Sequence, residues 1–150
     1  MQVQDLEIPG VKLVGPPPVF PDARGSFSEH WSRRVFEAAG IANDWVQDNL
    51  AWSKEAGTVR GLHFQSPPSA QAKLVSVLRG RVLDVVVDIR RGSPTYGRHV
   101  TAELSAENGL KMLAPRRASA RACWRPRPPP APVTMATRPS KRMVMGELQS

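Results

Sequence analysis

The arrangement of hydrophobic and polar residues predicts an all-β protein with one short helix. From Trp45 onward, apolar residues recur at every second position in several runs, which is the period of strands with one buried face. Only the stretch "SRRVFEAAG", residues 32–40, fits a helix, because Ser32 can cap its start and Gly40 can end it. Many short strands separated by turns favour a sandwich or a jelly-roll barrel, with the single helix near residues 33–39.

Turn-forming residues divide the chain into the predicted elements. "VKLV" is predicted to be a short strand ahead of a Pro-rich turn, whereas "FPDARGSFSEHW" is predicted to be a loop because Asp, Gly and Ser interrupt it. "VRGLHFQ" and "RHVTAEL" are predicted strands. "KLVSVLRGRVLDVVVDIR" is predicted to form two strands of a hairpin, joined at Arg79 and Gly80.

The second strand of that hairpin carries two aspartates on one face. Its two faces consist of Leu83, Val85, Val87 and Ile89 on one side and of Val82, Asp84, Val86 and Asp88 on the other. The aspartate face is either a polar stripe that faces solvent or the inner face of a barrel. In the second case Asp84 is a candidate to orient a histidine through its carboxylate.

The strand pattern ends at Pro115. The remaining sequence, "RRASARACWRPRPPPAPVTMATRPSKRMVMGELQS", follows neither the strand period nor a sustained helical one, and Arg, Ala and Pro dominate it. We therefore predict two parts: residues 1–115 as the N-terminal part of a jelly-roll domain, and residues 116–150 as a basic, disordered tail.

The net charge follows the same division. The formal charge of +8 would suit a nucleic-acid partner. However, residues 1–115 carry 13 basic and 12 acidic side chains, whereas residues 116–150 carry 8 basic residues and one acidic residue, Glu147. A tail that binds phosphates is an alternative. We expect no nucleic-acid partner, since the basic residues begin where the strand pattern stops.

The sequence also predicts a compartment. No apolar run approaches the roughly 20 residues that cross a bilayer, and the N-terminus lacks the pattern of a signal peptide. The single Cys123 excludes an internal disulfide, as is typical of a reducing compartment. We expect a cytoplasmic protein without a membrane partner.

The stretch "TVRGLHFQSPPSAQAKLV" contains the main candidates for chemistry: Arg60, His63 and Lys73. A histidine can act as a general base near neutral pH, and a lysine held nearby can stabilise an oxyanion. Proton removal next to a carbonyl group needs both functions. Spacing alone, however, favours a half-buried histidine and a solvated lysine.

Metal chemistry has little support in the sequence. His30, His63 and His99 are far apart and show no metal-ligand spacing, and no phosphate-binding glycine loop or nucleophile motif is present. We therefore expect no metal site.

Taken together, these residues resemble the dTDP-4-dehydrorhamnose 3,5-epimerase family. The matching blocks follow one another over about residues 11–115 and are "FPDARGSFSE", "VQDN", "TVRGLHFQSPPSAQAKLVSVLRGRVLDVVVDIRRGSPTYG" and "VTAELSAEN". The third block is highly specific. The resemblance implies a cupin-type jelly roll, usually dimeric and without a cofactor, that inverts carbons 3 and 5 of dTDP-4-dehydro-6-deoxy-glucose.

The resemblance also implies roles for individual residues. His63 matches the general base, and Lys73 matches the group that faces the oxygen on carbon 4. The positions that match contacts to the nucleotide part are Arg24, Glu29, Gln47, Asn49 and Arg60, with Asp48 inside the same motif. A ketone at carbon 4 acidifies both neighbouring C–H groups, so one base and one enolate stabiliser can serve two inversions. The arginines suit the charge of the diphosphate.

The resemblance stops near Arg116. Family members continue with a Gly-Phe-x-His-Gly-Phe type segment and with strands that supply a tyrosine proton donor and an aspartate paired with the histidine. Tyr96, the sole tyrosine of the chain, does not match the donor position. Our hypothesis is a shift of the reading frame near Arg116, and a basic tail gained in evolution is the alternative.

This loss bears on activity. We expect the chain to be truncated relative to the family and to have little activity. Two alternatives stay open: a sugar-nucleotide-binding cupin without catalysis, and an epimerase that inverts only one carbon.

Overall fold

A computed structural model describes residues 1–116 in full and, beyond them, the backbone of residues 119–123 and 143–149. The elements that precede the long loop of residues 54–72 are β1 (Val3–Asp5), β2 (Lys12–Val14), β3 (Val19–Asp22), β4 (Gly25–Ser28), α1 (Arg33–Ala38) and β5 (Gln47–Ser53). Those that follow are β6 (Lys73–Arg79), β7 (Arg81–Val87), β8 (His99–Ser105), β9 (Lys111–Ala114), β10 (Ser119–Cys123) and β11 (Met143–Gln149). The prediction of an all-β protein with one short helix is confirmed.

The strands form two facing sheets and a separate hairpin. One sheet has six strands in the order β1-β2-β9-β6-β11-β5, and the other has three in the order β10-β7-β8. All the strand pairs are antiparallel. Strands that are distant in sequence are therefore neighbours, as in a jelly roll.

The predicted hairpin of β6 and β7 is wrong. β6 pairs with β9 and β11, whereas β7 pairs with β8 and β10. Gly80, with a φ of 79°, turns the chain from one sheet into the other. This turn places Val75 and Val77 in the same core as Val82 and Val86.

The main core fills the space between the two sheets. Its fully or nearly buried members are Ile8, Val11, Val75, Val77, Val82, Val86, Leu104, Met112 and Ala114. On β6 and β9 these are alternate residues, so one face of the six-stranded sheet is turned toward the other sheet. We call this face the inner face and the opposite one the outer face.

A second core covers the outer face beneath the helix. It contains Val14, Phe36, Ile41, Leu74 and Leu113, with Trp31 and Trp45 at its edge. α1 contributes the buried Phe36. Ser32 occupies the N-cap position with an extended backbone, but its side chain makes no capping hydrogen bond.

Two further expectations are wrong. The stretch predicted as a loop is the β3–β4 hairpin, in which Val19 pairs with Ser28 and Asp22 with Gly25. Conversely, residues 59–65 form no strand. Gly61 has a φ of 105°, which a regular strand does not contain. In a strand, Arg60 and His63 would lie on opposite faces because they are three positions apart. Since this segment is not a strand, that rule does not separate their side chains.

Asp88 organises the turn that follows β7. Its carboxylate is buried and accepts hydrogen bonds from the Arg90 guanidinium and from the hydroxyl groups of Ser93 and Thr95, over 2.6 to 2.8 Å. These bonds, above all the one from Arg90, hold the pKa of Asp88 far below its usual range. The expectation that this aspartate belongs to a solvent-facing stripe is wrong, since its buried carboxylate connects β7 to the next turn through hydrogen bonds.

The predicted tail, residues 116–150, contains two strands. β10 pairs with β7, and β11 lies between β5 and β6. An extended segment can satisfy the backbone groups of its neighbours without an alternating side-chain pattern, which explains why the sequence did not indicate these strands. The prediction of disorder for residues 117, 118, 124–142 and 150 lies outside the described residues, and the boundary at Pro115 stays a prediction. None of the described helices is long and apolar enough to cross a membrane.

Candidate active site

Lys73 opens β6 on the inner face of the six-stranded sheet. The residue is 7% exposed, so it is not the solvated lysine that spacing alone favours. On the same face, Val75 and Val77 follow it into the main core. The ammonium therefore lies at the end of the space between the two sheets. Water would stabilise a negative charge that develops there only weakly, so the ammonium can do so instead.

Gln47 and Asn49 lie on the same inner face. Gln47 and Lys73 are both register partners of Gln149, and Asn49 and Val75 are both partners of Glu147, so each pair shares a side of the sheet. The Gln47 side chain donates a hydrogen bond from Nε2 to Oδ1 of Asn49 over 2.8 Å. The two amides thus form a polar strip on the same face as Lys73, with β11 between them.

Asp84 enters the same space from the opposite sheet. It is 1% exposed and lies on the face of β7 that carries Val82 and Val86, which are core residues. The expectation of a solvent-facing stripe is wrong here too, and the alternative that Asp84 points into the barrel is confirmed. Its role in orienting His63 stays a prediction.

Arg60 is tied to the end of β5. Its Nε donates to Oγ of Ser53 over 3.1 Å, and its Nη2 donates to the carbonyl oxygen of Trp52 over 3.1 Å. Ser53 is buried and shares the inner face with Asn49. Two directed hydrogen bonds therefore bring the guanidinium to the sheet that carries Lys73, although Arg60 belongs to no strand.

His63 lies on the exposed part of the irregular segment between Arg60 and β6. Its neighbours Leu62 and Phe64 are each 53% exposed. The expectation of a half-buried histidine is therefore wrong. An accessible imidazole can meet a substrate that enters from solvent and can exchange protons with water, as a general base requires.

A cavity of about 740 Å³ opens beside this segment. Its walls are the residues that precede β6, including Phe64 and Gln65, and those that follow β7, including Arg90 and Arg91; Arg116 completes it. Guanidinium groups beside apolar walls suit an anionic ligand with an apolar portion. Neither His63 nor Lys73 lines this cavity. The sequence analysis did not single out Arg91 or Arg116, because nothing in their spacing distinguishes them from surface arginines.

Three predicted site residues lie elsewhere. Asp48 alternates with Gln47 and Asn49 and therefore points to the outer face. Arg24 is at the turn of the β3–β4 hairpin, where its 90% exposed side chain pairs with Asp22 over 2.8 Å. Glu29 follows the hairpin and lines a small cavity on the outer side. Within one chain, Gln47, Asn49, Lys73 and Asp84 lie on the sheet faces that line the space between the two sheets, and Arg60 is bonded to the end of β5.

The outer face holds a charged residue that the sequence analysis missed. Lys111 is 2% exposed, and burial lowers the pKa of its ammonium to about 8. The pKa of His30 is lowered, first by partial burial of the ring and then by the charge of Lys111, while Asp48 opposes the shift. The sequence feature that could have indicated this buried residue is a single lysine within the apolar stretch "LKMLAP".

The described residues contain no group of three or more His, Cys, Asp or Glu side chains that could hold a metal ion. The expectation that the protein needs no metal stays a prediction.

A sequence comparison identifies the relatives of this chain. A protein-family model described as dTDP-4-dehydrorhamnose 3,5-epimerase matches residues 5–122, somewhat more than the 11–115 predicted. A protein of that name from Sinorhizobium fredii is 50% identical over 115 residues, which are 77% of this chain and 58% of the relative. The chain thus spans little more than half the length of that relative.

Solved structures agree with this comparison. The dTDP-4-dehydrorhamnose 3,5-epimerase from Bacillus anthracis, solved with TDP and PPi bound, has a TM-score of 0.83 at 34% identity, covering 99% of this chain and 76% of the other. The dTDP-6-deoxy-D-glucose-3,5-epimerase from Legionella pneumophila, in complex with dTDP-4-keto-L-rhamnose, has a TM-score of 0.81 at 33% identity, covering 99% and 70%. The fold is therefore the cupin-type jelly roll of these epimerases.

Proposed function

Since this chain belongs to the dTDP-4-dehydrorhamnose 3,5-epimerase family, we propose that its activity is the inversion of carbons 3 and 5 of dTDP-4-dehydro-6-deoxy-glucose, a step in the synthesis of dTDP-L-rhamnose. The observation that carries the proposal is the inner-face cluster, in which the buried Lys73 and the polar strip of Gln47 and Asn49 lie on the same face, with β11 between them. A buried cation on one face with amide groups suits a sugar ketone that must become an enolate.

The proposed reaction uses two groups in turn. The imidazole of His63 removes the proton from the carbon next to the ketone, and the electron pair moves onto the carbonyl oxygen. Lys73 stabilises that oxygen, and the loss of one such donor typically costs about 10²–10³ in rate. Return of a proton to the opposite face completes the inversion, and the same pair then serves the second carbon.

The nucleotide part would be held by Arg60 and the polar strip. The hydrogen bonds from Arg60 to Ser53 and Trp52 leave the guanidinium fixed in orientation, which lowers the entropic cost of binding a diphosphate. The arginine-lined cavity beside Phe64 offers additional positive charge for the same substrate class.

We also propose that the activity is low. Inversion needs an acid on the face opposite His63, and Tyr96 lies in the exposed turn after β7, 61% exposed, outside the inner-face cluster. The missing acid would then slow the return of the proton more than it would slow proton removal or weaken substrate binding.

A homodimer would explain the separated site residues. The β3–β4 hairpin carries Arg24 at its turn and presents apolar side chains to solvent, with Val19 at 60%, Phe20 at 58% and Phe27 at 70% exposure. Such an apolar patch is typical of an interface. A second copy that covers it would receive Arg24 near its own site. A cytoplasmic location stays a prediction.

The second candidate function is binding of a sugar nucleotide without catalysis. It is favoured by the presence of the binding residues together with the lack of a matching proton donor in the described part of the chain. Under this alternative the protein binds dTDP but exchanges no hydrogen of the sugar.

Solvent-deuterium incorporation separates these functions. The protein is incubated in D₂O with dTDP-4-dehydro-6-deoxy-glucose, and NMR follows the signals at carbons 3 and 5, while calorimetry measures dTDP binding. Exchange at both carbons supports the 3,5-epimerase, and exchange at carbon 3 alone supports the single-carbon enzyme. Binding without exchange supports the second candidate, and the absence of both overturns the proposal. A His63→Asn variant that keeps dTDP binding but loses exchange is the matched control.

A further inference from the structure

A small cavity on the outer side of the six-stranded sheet is lined by one buried lysine. Lys111 is the first residue of β9 and lies on the outer face, with Val14 and Ser76 as its register partners. The cavity measures about 20 Å³, and Glu29, His30 and Ser32 also line it. The six-stranded sheet separates it from the inner-face cluster of the same chain.

Among the described residues, the ammonium of Lys111 has no acceptor within hydrogen-bonding distance. In the part of the chain that the structure describes, the Nζ of Lys111 has neither a hydrogen-bond partner nor an ion pair. Because buried donors are almost always paired in proteins, an acceptor that the described residues do not supply is expected at this ammonium.

Charge and size restrict that acceptor. With its pKa lowered to about 8, Lys111 still carries its proton at neutral pH, and a buried cation needs a counter-charge. A cavity that holds a water molecule needs at least about 10–15 Å³, so 20 Å³ has room for a monatomic anion such as chloride.

We propose that this cavity is a binding site for a single halide ion, held by the ammonium of Lys111. The titratable groups that face it are Glu29 and His30, and Asp48 acts on His30 from β5. The carboxylate of Glu29 opposes an anion and thereby limits the affinity. The site depends on the protonated lysine, so halide binding falls as Lys111 loses its proton.

Thermal unfolding with matched salts tests the site. The unfolding midpoint of the wild-type chain is measured at pH 6.5 in sodium chloride, sodium bromide and sodium gluconate at equal ionic strength. At a halide concentration about ten times its Kd, we expect a rise of about 3–5 °C over gluconate. At pH 9.5 this rise should disappear. Equal midpoints in all three salts, or a halide effect that is undiminished at pH 9.5, would overturn the proposal.

Variants assign the effect to Lys111. Lys111→Met should abolish the difference between halide and gluconate, whereas Lys12→Met, which removes a surface lysine paired with Asp5, should preserve it. A halide effect that survives in Lys111→Met contradicts the proposal.

Crystals of the wild-type chain grown or soaked in bromide give an independent result that does not depend on the folding of any variant. An anomalous peak within hydrogen-bonding distance of Nζ supports the site. A water molecule in that position, without an anomalous peak, overturns it.

Discussion

Arg60 donates a hydrogen bond from Nε to Oγ of Ser53 over 3.1 Å, and this bond joins an irregular segment to the end of β5. The segment has no strand ladder of its own, so the position of its guanidinium depends on this bond and on the one to the Trp52 carbonyl oxygen. Ser53 therefore helps to decide where a proposed binding residue lies.

Replacement of Ser53 by alanine should therefore weaken nucleotide binding. Ser53→Ala removes one of the two bonds that orient Arg60, and we expect dTDP affinity to fall about 3- to 10-fold, in line with about 0.5–1.5 kcal/mol for a typical hydrogen bond. Calorimetry measures the affinity. Ser69→Ala, in the exposed part of the following loop, serves as the control and should bind like the wild type. An unchanged affinity in Ser53→Ala would show that the hydrogen bond from Arg60 to the Trp52 carbonyl oxygen is sufficient to orient the guanidinium.

Asp88→Asn should destabilise the fold strongly. The substitution keeps the shape but removes the charge that Arg90, Ser93 and Thr95 satisfy, and it leaves the guanidinium of Arg90 without its ion pair. We expect a loss of about 3–5 kcal/mol in the free energy of unfolding, measured by urea titration. Asp44→Asn removes the exposed pair with Arg33 and should cost at most about 1 kcal/mol. Equal losses in the two variants would contradict the assigned role of Asp88.

The pH dependence of stability should report the same carboxylate. The pKa of Asp88 is lower in the folded chain than its ordinary value of 3.8, so its stabilisation is fully present above that value and is lost as the pH falls below it. Urea titrations between pH 5 and pH 2 should show the wild type and Asp88→Asn converging as the pH falls. A difference that stays constant over this range would exclude the ionised carboxylate as its source.

Lys111→Met should stabilise the protein in halide-free buffer. The pKa of Lys111 is lowered from 10.5 to about 8 by burial, so the folded chain binds the proton less tightly than the unfolded chain. The loss of stability that comes from burying the protonated Lys111 is fully present below pH 8 and disappears as the pH rises toward 10.5. At pH 7 we expect the variant to gain about 1–3 kcal/mol in the free energy of unfolding. A gain that does not shrink between pH 8 and pH 10 would contradict this explanation.

Phe27→Ser should separate the proposed dimer into monomers. Phe27 is 70% exposed on β4, so its loss costs little within one chain but removes apolar area from the proposed interface. Analytical ultracentrifugation should show the mass of one chain for Phe27→Ser and of two chains for the wild type. Val59→Ser, which changes an exposed apolar residue of the long loop, is the control and should remain dimeric. A wild type that sediments as a monomer would contradict the dimer itself.

The coding DNA across residues 115–117 tests the reading-frame hypothesis. We expect one of the other two frames downstream to encode the Gly-Phe-x-His-Gly-Phe type segment and a later tyrosine. If all three frames stay rich in Arg and Pro codons, the basic tail is a genuine part of the protein, and nucleotide binding without turnover becomes the better-supported function.

Much of the architecture is present in local sequence. The alternation in β7 predicts a strand, the helix is marked by Ser32 and Gly40, and the block from Thr58 to Gly97 identifies the family. These features need only near neighbours in the chain. Local pattern did not predict which sheet each strand joins, because Gly80 can turn a hairpin or a corner between two sheets with equal ease.

The sequence by itself determined the fold class, the family and the residue types available for chemistry, because strand periodicity and motif order are properties of the linear chain. Tertiary structure decided which of those residues meet. Gln47 and Asn49 share the inner face with Lys73 although β6 is more than twenty residues away, whereas Asp48, between them, points to the other side. Strand pairing depends on residues that are far apart in the sequence. The burial of Asp84, Asp88 and Lys111 follows from this pairing, because remote strands form the surroundings of each side chain.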